Sequence, residues 1–572
     1  SKAGETNLQF TSDISSKQVQ FALNSSIDGS PLSAEGTYNS PSDIKISGSC
    51  DKLPVASVQP FLTNGPQLLP LIGDTLTTHF QVETAKASNF LKINTVSPLL
   101  QLTAALKGDD NSLELMQPAS FVWTVTPEGY SNLATWLKGS AVYSLSQPAT
   151  LKGSISTFSV NFNQILESAL YDANLTADGV AFSNTTIPQI LIHLSHKEPS
   201  SPHAFQMSAS ADTQGKLLCQ GSFNPPGTAD INLLLQQFPS ATFDLFTSPF
   251  LGNQFSLATL CGPVINLKGS TTLNQWNGPC SFELHSANLR SSLQGALKEG
   301  ILTLIQPLQL QLTITPQIST MLAKMSKSKE PVSYRSVGPV TFVVQPQGFS
   351  YPISQPDLSQ IQIGSARLEL GKLLCRNQGN IQSTLGLLKS GQYRSGDEVE
   401  LWFAPCDFTA TNGIINYERT EILFAKDYQV CTWGNVDLPR SYVDATLGLT
   451  ASCLKRAFGV PNLPKNYLLQ IPVRGPFSNI EIDKSKATSK IGSLMLWQQK
   501  GDIAGGLLKG PAGKFFGEAL DKLGPLPGGD EDAPPPKRPF PWEQEDDSRN
   551  TSDAKHIDPT DSPLKQVLKL VR

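Results

Sequence analysis

The chain has 572 residues, which at ordinary domain size corresponds to about four domains. Only 16% of its residues are charged, against about 25% in an average soluble protein, and the net charge is −4. That balance excludes a general nucleic-acid binder, which needs a basic surface, and the Ser, Thr, Gln and Asn that replace the missing charges suit long β structure.

Residues 8–47 alternate apolar and polar side chains, with Val19, Phe21 and Leu23 on one side of a strand and Gln18, Gln20 and Ala22 on the other. Gly29 and Gly36 punctuate the run. Pro54 breaks the pattern and suits the start of a short helix. Strands resume near 77–83 and continue to Thr126. Residues 127–138 read as a second short helix, with Tyr130, Leu133, Ala134 and Leu137 on one face.

The same order then recurs. Gln117-Pro118 and the Thr124-x-Thr126-Pro127 that follows line up with Gln306-Pro307 and Thr313-x-Thr315-Pro316, an offset of 306 − 117 = 189. Gly36-Thr37-Tyr38 lines up with Gly221-Ser222-Phe223, an offset of 221 − 36 = 185. Matches in one order at nearly one offset indicate an internal duplication, and repeated supersecondary units imply a stacked, elongated architecture.

Residues 400–483 hold four short strand-like segments, at 399–403, 413–417, 421–424 and 429–433. A helix is expected over 440–458, then a strand over 467–474 that runs through Gly475-Pro476 into 480–482. This stretch resembles the C-terminal region of the AsmA-like family, relatives of TamB in the bacterial envelope. The matching pieces are Asp407-Phe408 followed by Gly413, then 434–438 (GNVDL) and 469–479 (LQIPVRGPFSN). Pro476-Phe477 stands where the family commonly has Thr-Leu.

From Lys484 the character changes. Residues 484–523 mix Leu, Ile, Phe and Trp with basic residues and many glycines, and read as broken amphipathic helix. Gly513-Lys514 is no phosphate loop, because Leu508 and Phe515 occupy the places of the required Gly and Ser or Thr. Residues 525–561 are expected to be disordered and without stable contacts, since their composition offers too little apolar surface to offset chain entropy. Pro534 to Trp542 favours polyproline II. At the end, Leu564, Val567, Leu568 and Val571 share a face beside Lys565, Lys569 and Arg572, as in a helix that docks on an envelope partner or a membrane.

Chemistry-bearing motifs are scarce. His193, His196 and His203 could bind zinc only if a hairpin brought them together, since His193 and His196 point to opposite faces of a strand. There is no HExxH, GxSxG or GxGxxG, and Asp109-Asp110 and Asp397-Glu398 read as turn residues. No catalytic residues, cofactor or metal are expected. The eight cysteines contain no CxxC and are too sparse for a disulfide framework, with a Cys406–Cys431 pair across a hairpin left open. Trp123, Trp136, Trp276, Trp402 and Trp433 read mainly as packing residues.

The expected fold is mainly β: an elongated, curled antiparallel sheet with short helices, an amphipathic helical segment and a disordered tail. It divides into a first β-groove repeat (1–140), a connecting segment (141–204), a second repeat (205–330), an AsmA-like β module (331–483), a Gly-rich helical segment (484–524) and the tail (525–572). Strict spacing of two places Val19, Phe21, Leu23, Phe121, Trp123, Val125, Leu308, Leu310, Leu312 and Ile314 on the inward, apolar face. The resemblance implies that this groove carries phospholipid acyl chains between inner and outer membranes, or supports outer-membrane assembly. It also implies a periplasmic or envelope location, with an inner-membrane anchor ahead of Ser1. The alternative is a structural or adhesive surface protein with a closed core. An enzyme has no residue set behind it.

Overall fold

The computed structural model describes residues 6–13, 18–62, 65–85, 88–136, 145–182, 185–211, 215–224, 227–244, 255–325, 333–353, 357–388, 393–506 and 533–546. Among these, 31 strands belong to one antiparallel sheet that is not closed on itself, and most helices are short. The chain forms two compact units, residues 1–253 with 261–287, and residues 254–260 with 288–572.

Unit one is a meander in which each strand pairs antiparallel with the next. It begins with β1 (Asn7–Asp13), β2 (Gln18–Ile27), β3 (Ser30–Ser40) and β4 (Asp43–Pro54). After two short helices, Val55–Val58 and Leu69–Ile72, come β5 (Thr75–Ala85), β6 (Ser88–Val96), β7 (Leu100–Gly108) and β8 (Ser112–Val125). The helix Pro127–Trp136 precedes β9 (Ala149–Asn161), β10 (Leu170–Phe182), β11 (Thr185–His196) and β12 (His203–Ala211). The unit ends with β13 (Gly215–Asn224), β14 (Thr228–Pro239), β15 (Val264–Leu273) and β16 (Gly278–Ser286). The β2–β3 turn shows why the chain doubles back. Asp28 and Gly29 both take positive φ, 50° and 84°, which matches the twist of a two-residue hairpin.

The duplication appears in the order of elements. Strands starting at residues 18, 30 and 43 recur at 203, 215 and 228, each 185 residues later (203 − 18). The strand starting at 100 and the helix starting at 127 recur at 289 and 316, each 189 later (316 − 127). Both Gln-Pro pairs mark an interruption: the β8–β9 register breaks between Glu114 and Ala119, and Pro307 lies between strands 301–304 and 308–312. Proline has no N–H to donate to a ladder, so the pairing must skip there.

Unit two begins with β17 (Leu289–Lys298), β18 (Ile301–Leu304), β19 (Leu308–Leu312) and β20 (Tyr334–Ser336). Next come β21 (Val340–Val344), β22 (Tyr351–Pro352), β23 (Ile363–Glu369) and β24 (Lys372–Arg376). The remaining strands are β25 (Glu398–Phe403), β26 (Cys406–Thr411), β27 (Ile414–Phe424), β28 (Tyr428–Asp437), β29 (Tyr442–Thr450), β30 (Leu468–Pro476) and β31 (Glu481–Ile482). The ladder forks at β27. Its first half, Ile414–Tyr417, pairs with β26, while Ile422–Phe424 pairs with β25 and leads on through β24 to β20. A bulge between Tyr417 and Thr420 separates the two halves on the β28 side as well.

Helices close this unit's core. Leu388, Val399, Leu449, Leu454, Leu469, Ile471 and Leu494 are fully buried together. They lie between the sheet and the helices Ala451–Phe458 and Lys484–Gly506. Thr450 caps the first of these helices by accepting from the Cys453 N–H, and Gly459 ends it at φ 66°. Burial of each such Leu or Ile stabilises the unit by about 1.5–3 kcal/mol.

Two expectations are corrected. Residues 442–450 are strand, not helix: Val443, Ala445, Leu447 and Leu449 alternate at period two, and β29 hydrogen-bonds on both sides. Only Ala451–Phe458 is helical. In the tail, residues 533–546 pack against unit two and bury Phe540 completely, contrary to the expected lack of contacts. Composition averaged over the tail hides one buried aromatic ring and one lysine that meets two carboxylates. Leu137 and the apolar face at 564–571 lie outside the described residues.

Large and small residues alternate across the meander. A Cβ on Gly153 would stand 2.0 Å from Phe121 Cε1 on the neighbouring strand, and one on Gly48 would stand 2.6 Å from Phe80 Cζ. The rings lie over glycine backbone, which no other residue leaves free. Gly153→Leu should therefore destabilise the protein by about 1–3 kcal/mol. Equilibrium denaturation should show the loss, and Phe121→Ala in the same chain should recover part of it.

Candidate functional site

Residues paired directly across an antiparallel ladder point to the same side of the sheet. One such row runs Leu102, Phe121, Gly153, Leu175, Ile192, Met207, Cys219, Leu233, Gly269, Phe282 through β7 to β16. A second runs from Phe10 through Phe21, Gly36, Ile46 and Val82 to Leu91 in β1 to β6. Among the paired positions of β1–β16, the face that carries these rows has no Asp, Glu, Lys or Arg. The opposite face carries the charges, as cross-strand pairs such as Lys45–Glu83, Lys107–Glu114 and Lys152–Asp178. Such exposed pairs contribute little stability, but they keep that face wet.

The apolar face is covered only in part. The helix Leu69–Ile72 lies over its end, where the Trp123 indole Nε1 donates to the Leu71 carbonyl at 2.7 Å. Along the rows, Phe21, Phe121, Leu175, Ile192, Met207 and Leu233 are half-buried by their neighbours.

The ten residues expected to line a groove divide accordingly. Val19, Phe21, Leu23 and Phe121 are half-buried on the uncharged face of unit one. Trp123 reaches the Leu71 helix, and Val125 is buried. In unit two, Leu308 and Leu312 pack against closed clusters, around Val344 and around Ile318 respectively. Leu310 is half-buried opposite Phe342, and Ile314 is buried with Ile318 and Val340. Val125, Leu308, Leu312 and Ile314 are thus packed side chains, Val125 by burial and the other three by membership of these clusters.

The histidines also divide as spacing predicts. His193 faces the polar side, where its ring meets Asn174 Oδ1 at 2.8 Å. The β11–β12 hairpin stacks His196 on His203, with centroids 3.9 Å apart and both rings buried. Tyr171 and Phe223 flank them, with the Tyr171 hydroxyl 3.0 Å from His203 Nδ1. Both His196 ring nitrogens meet backbone carbonyls, of Ala169 and Ser201, which leaves none for a metal. Among the described residues, no group of three His, Cys, Asp or Glu could hold a metal ion.

All eight cysteines are free, so the Cys406–Cys431 pair does not form. Cys406 lies on β26, which pairs with β23 and β27, whereas Cys431 lies on β28. The residues of the AsmA-like resemblance lie in β26, β28 and β30 and the turns beside them, Gly413 at φ 74° in the β26–β27 turn. No family model, curated protein or solved structure matches the chain. The glycines beneath the rings and the tail anchor Phe540 carry no chemical motif; period-two register against a neighbouring strand is the only sequence signal for the former.

Burial pushes the Cys375, Cys431 and Cys453 thiols up to about 12, from an ordinary 9.0. A raised thiol pKa means that the folded chain holds its protons more tightly than the unfolded chain. Their contribution is fully present below pH 9 and is lost as pH rises toward 12. Denaturation midpoints should fall across that window. Alkylation at pH 8, read by peptide mass spectrometry, should leave these three thiols unmodified until denaturant is added.

Proposed function

We propose that the protein is a non-enzymatic binder of phospholipid acyl chains, which occupy the uncharged face of unit one. One observation carries the reading: at the paired positions of sixteen strands the acidic and basic side chains stay off one face, yet the rows along that face are only half-buried. A face of that extent normally meets an apolar partner. Acyl chains suit it because they need no hydrogen bonds and conform to a surface of alternating rings and glycines. The AsmA-like resemblance favours the same class of ligand, and with it transfer between envelope membranes or support of outer-membrane assembly. Among the described residues no helix is long and apolar enough to cross a membrane, which says nothing of strands.

The test is mass spectrometry of lipids that co-purify with the protein. Leu233 lies mid-face, opposite Cys219 and Gly269, and in unit two Leu310 is half-buried opposite Phe342. Gln220 is exposed on the polar side. Wild type and Gln220→Asp should carry phospholipid, and Leu233→Asp should lose it at least several-fold while still unfolding cooperatively. Leu310→Asp shows whether unit two contributes. A wild-type protein without lipid, or equal loading of Leu233→Asp and Gln220→Asp, would favour a structural or adhesive protein with a closed core.

A further inference from the structure

We propose that the fork in unit two is a docking site for a proline- and aromatic-rich peptide, and that residues 533–546 occupy it as an exchangeable strap of this chain. The strap reads APPPKRPFPWEQED. It adds no strand to the sheet, and side chains make most of its contacts.

The fork offers three distinct recognition points. The first is a buried charge pair. Arg419 donates to Glu421 at 2.7 Å, Gln429 donates to the same carboxylate at 3.0 Å, and Glu421 is 2% exposed. Arg419 Nη1 donates to the Pro534 carbonyl at 2.9 Å. A proline-rich segment suits this arrangement, because its carbonyls accept while proline itself brings no N–H that must be satisfied.

The second point is acidic. Asp407 on β26 and Glu418 on β27 converge on Lys537, whose Nζ lies 2.6 Å from Asp407 Oδ2 and also contacts Glu418. These carboxylates stand on the β26 side of the fork, where β27 turns from β26 toward β25.

The third point is aromatic. Phe540 is fully buried and lies with Pro536 and Arg538 along a cavity of about 670 Å³. Thr450, Val460, Tyr467 and Leu468 form its other side. Trp542 meets Trp402 of β25 edge to face at 5.9 Å, and Lys372 lies 3.8 Å over the Trp402 ring. Contacts within the strap support this fit. Glu543 accepts from the Phe540 N–H at 3.0 Å and from Arg538 at 3.1 Å, and Arg538 lies over the Phe540 ring.

Basic residue, buried Phe and edge-on Trp at fixed spacing form a linear motif, and the fork reads all three. Contacts of this kind hold a tethered segment because the covalent link raises its effective concentration, on the order of millimolar for short tethers. The same contacts release it when a competing segment is present. The inference stands apart from the lipid reading, since it concerns unit two and a peptide.

The experiment uses the full chain and a fluorescein-labelled synthetic peptide of residues 533–546, followed by fluorescence anisotropy. Lys537→Glu weakens the tethered strap at a half-exposed side chain and so leaves the fold intact. Phe540→Ala is the second variant. The peptide should bind both variants saturably and wild type at least about tenfold more weakly, because the intact strap competes. In a full chain carrying Asp407→Lys, Glu418→Lys and Phe540→Ala, a Lys537→Glu peptide should bind better than the native peptide. Equal binding to wild type and Lys537→Glu, or no saturable binding to either variant, would overturn the proposal.

Discussion

Register in a sheet of period two is the constraint on which this protein depends. A slip of one residue in β4 would exchange Ile46 for Lys45, and in β5 Val82 for Glu83, on the face that now holds no charge. Two-residue turns such as Asp28-Gly29 fix the count between strands. Where the count changes, as at the bulge between Cys50 and Leu53 or between Glu114 and Ala119, the apolar alternation resumes beyond it. Rings over glycines then oppose slippage directly, since only glycine leaves room for Phe121 or Phe80.

The same period made most of the strands legible in the sequence. Val19, Phe21 and Leu23 recur at a spacing of two, as do Phe121, Trp123 and Val125, and Pro127 and its repeat equivalent Pro316 each start a ten-residue helix. The repeat was legible for a physical reason, because Gln-Pro interrupts a ladder wherever it stands. Residues 442–450 were harder. Gly448 and Thr450 lead into a true helix with the strand still running, and a short apolar run fits either period. Cover was not legible at all. Val125, Leu312 and Ile314 share the spacing of Phe121 and Leu310, and only the placement of neighbouring helices decides which of them are closed in.

Phe540 shows a second limit of sequence patterns. Its neighbours are prolines and charges, and a window average assigns such a stretch to solvent. Chain entropy is offset here locally, by one buried ring, one lysine between two carboxylates and one carbonyl facing a buried arginine. The fork makes this feasible. Where β27 changes partner, Arg419 and Glu421 are buried together, and a donor left over from that pair needs an acceptor. The Pro534 carbonyl supplies it.

The two units meet one problem in different ways. Each has strands whose apolar side chains share a face. In unit two the helices Ala451–Phe458 and Lys484–Gly506 lie on that face, and Leu449, Leu454 and Leu494 lose all contact with water. In unit one the helix Leu69–Ile72 lies at the strand ends, as Trp123 on Leu71 shows, and Leu175, Ile192 and Leu233 stay half-buried. A polypeptide laid along that middle region would have to satisfy its own backbone groups over a surface that offers no side-chain charge in return. Glycine-backed rings also leave shallow, uneven relief, which suits a ligand that bends at every carbon better than a rigid helix. For these reasons the absence of charge at the paired positions on one face of sixteen strands favours a flexible apolar ligand over a permanent protein layer.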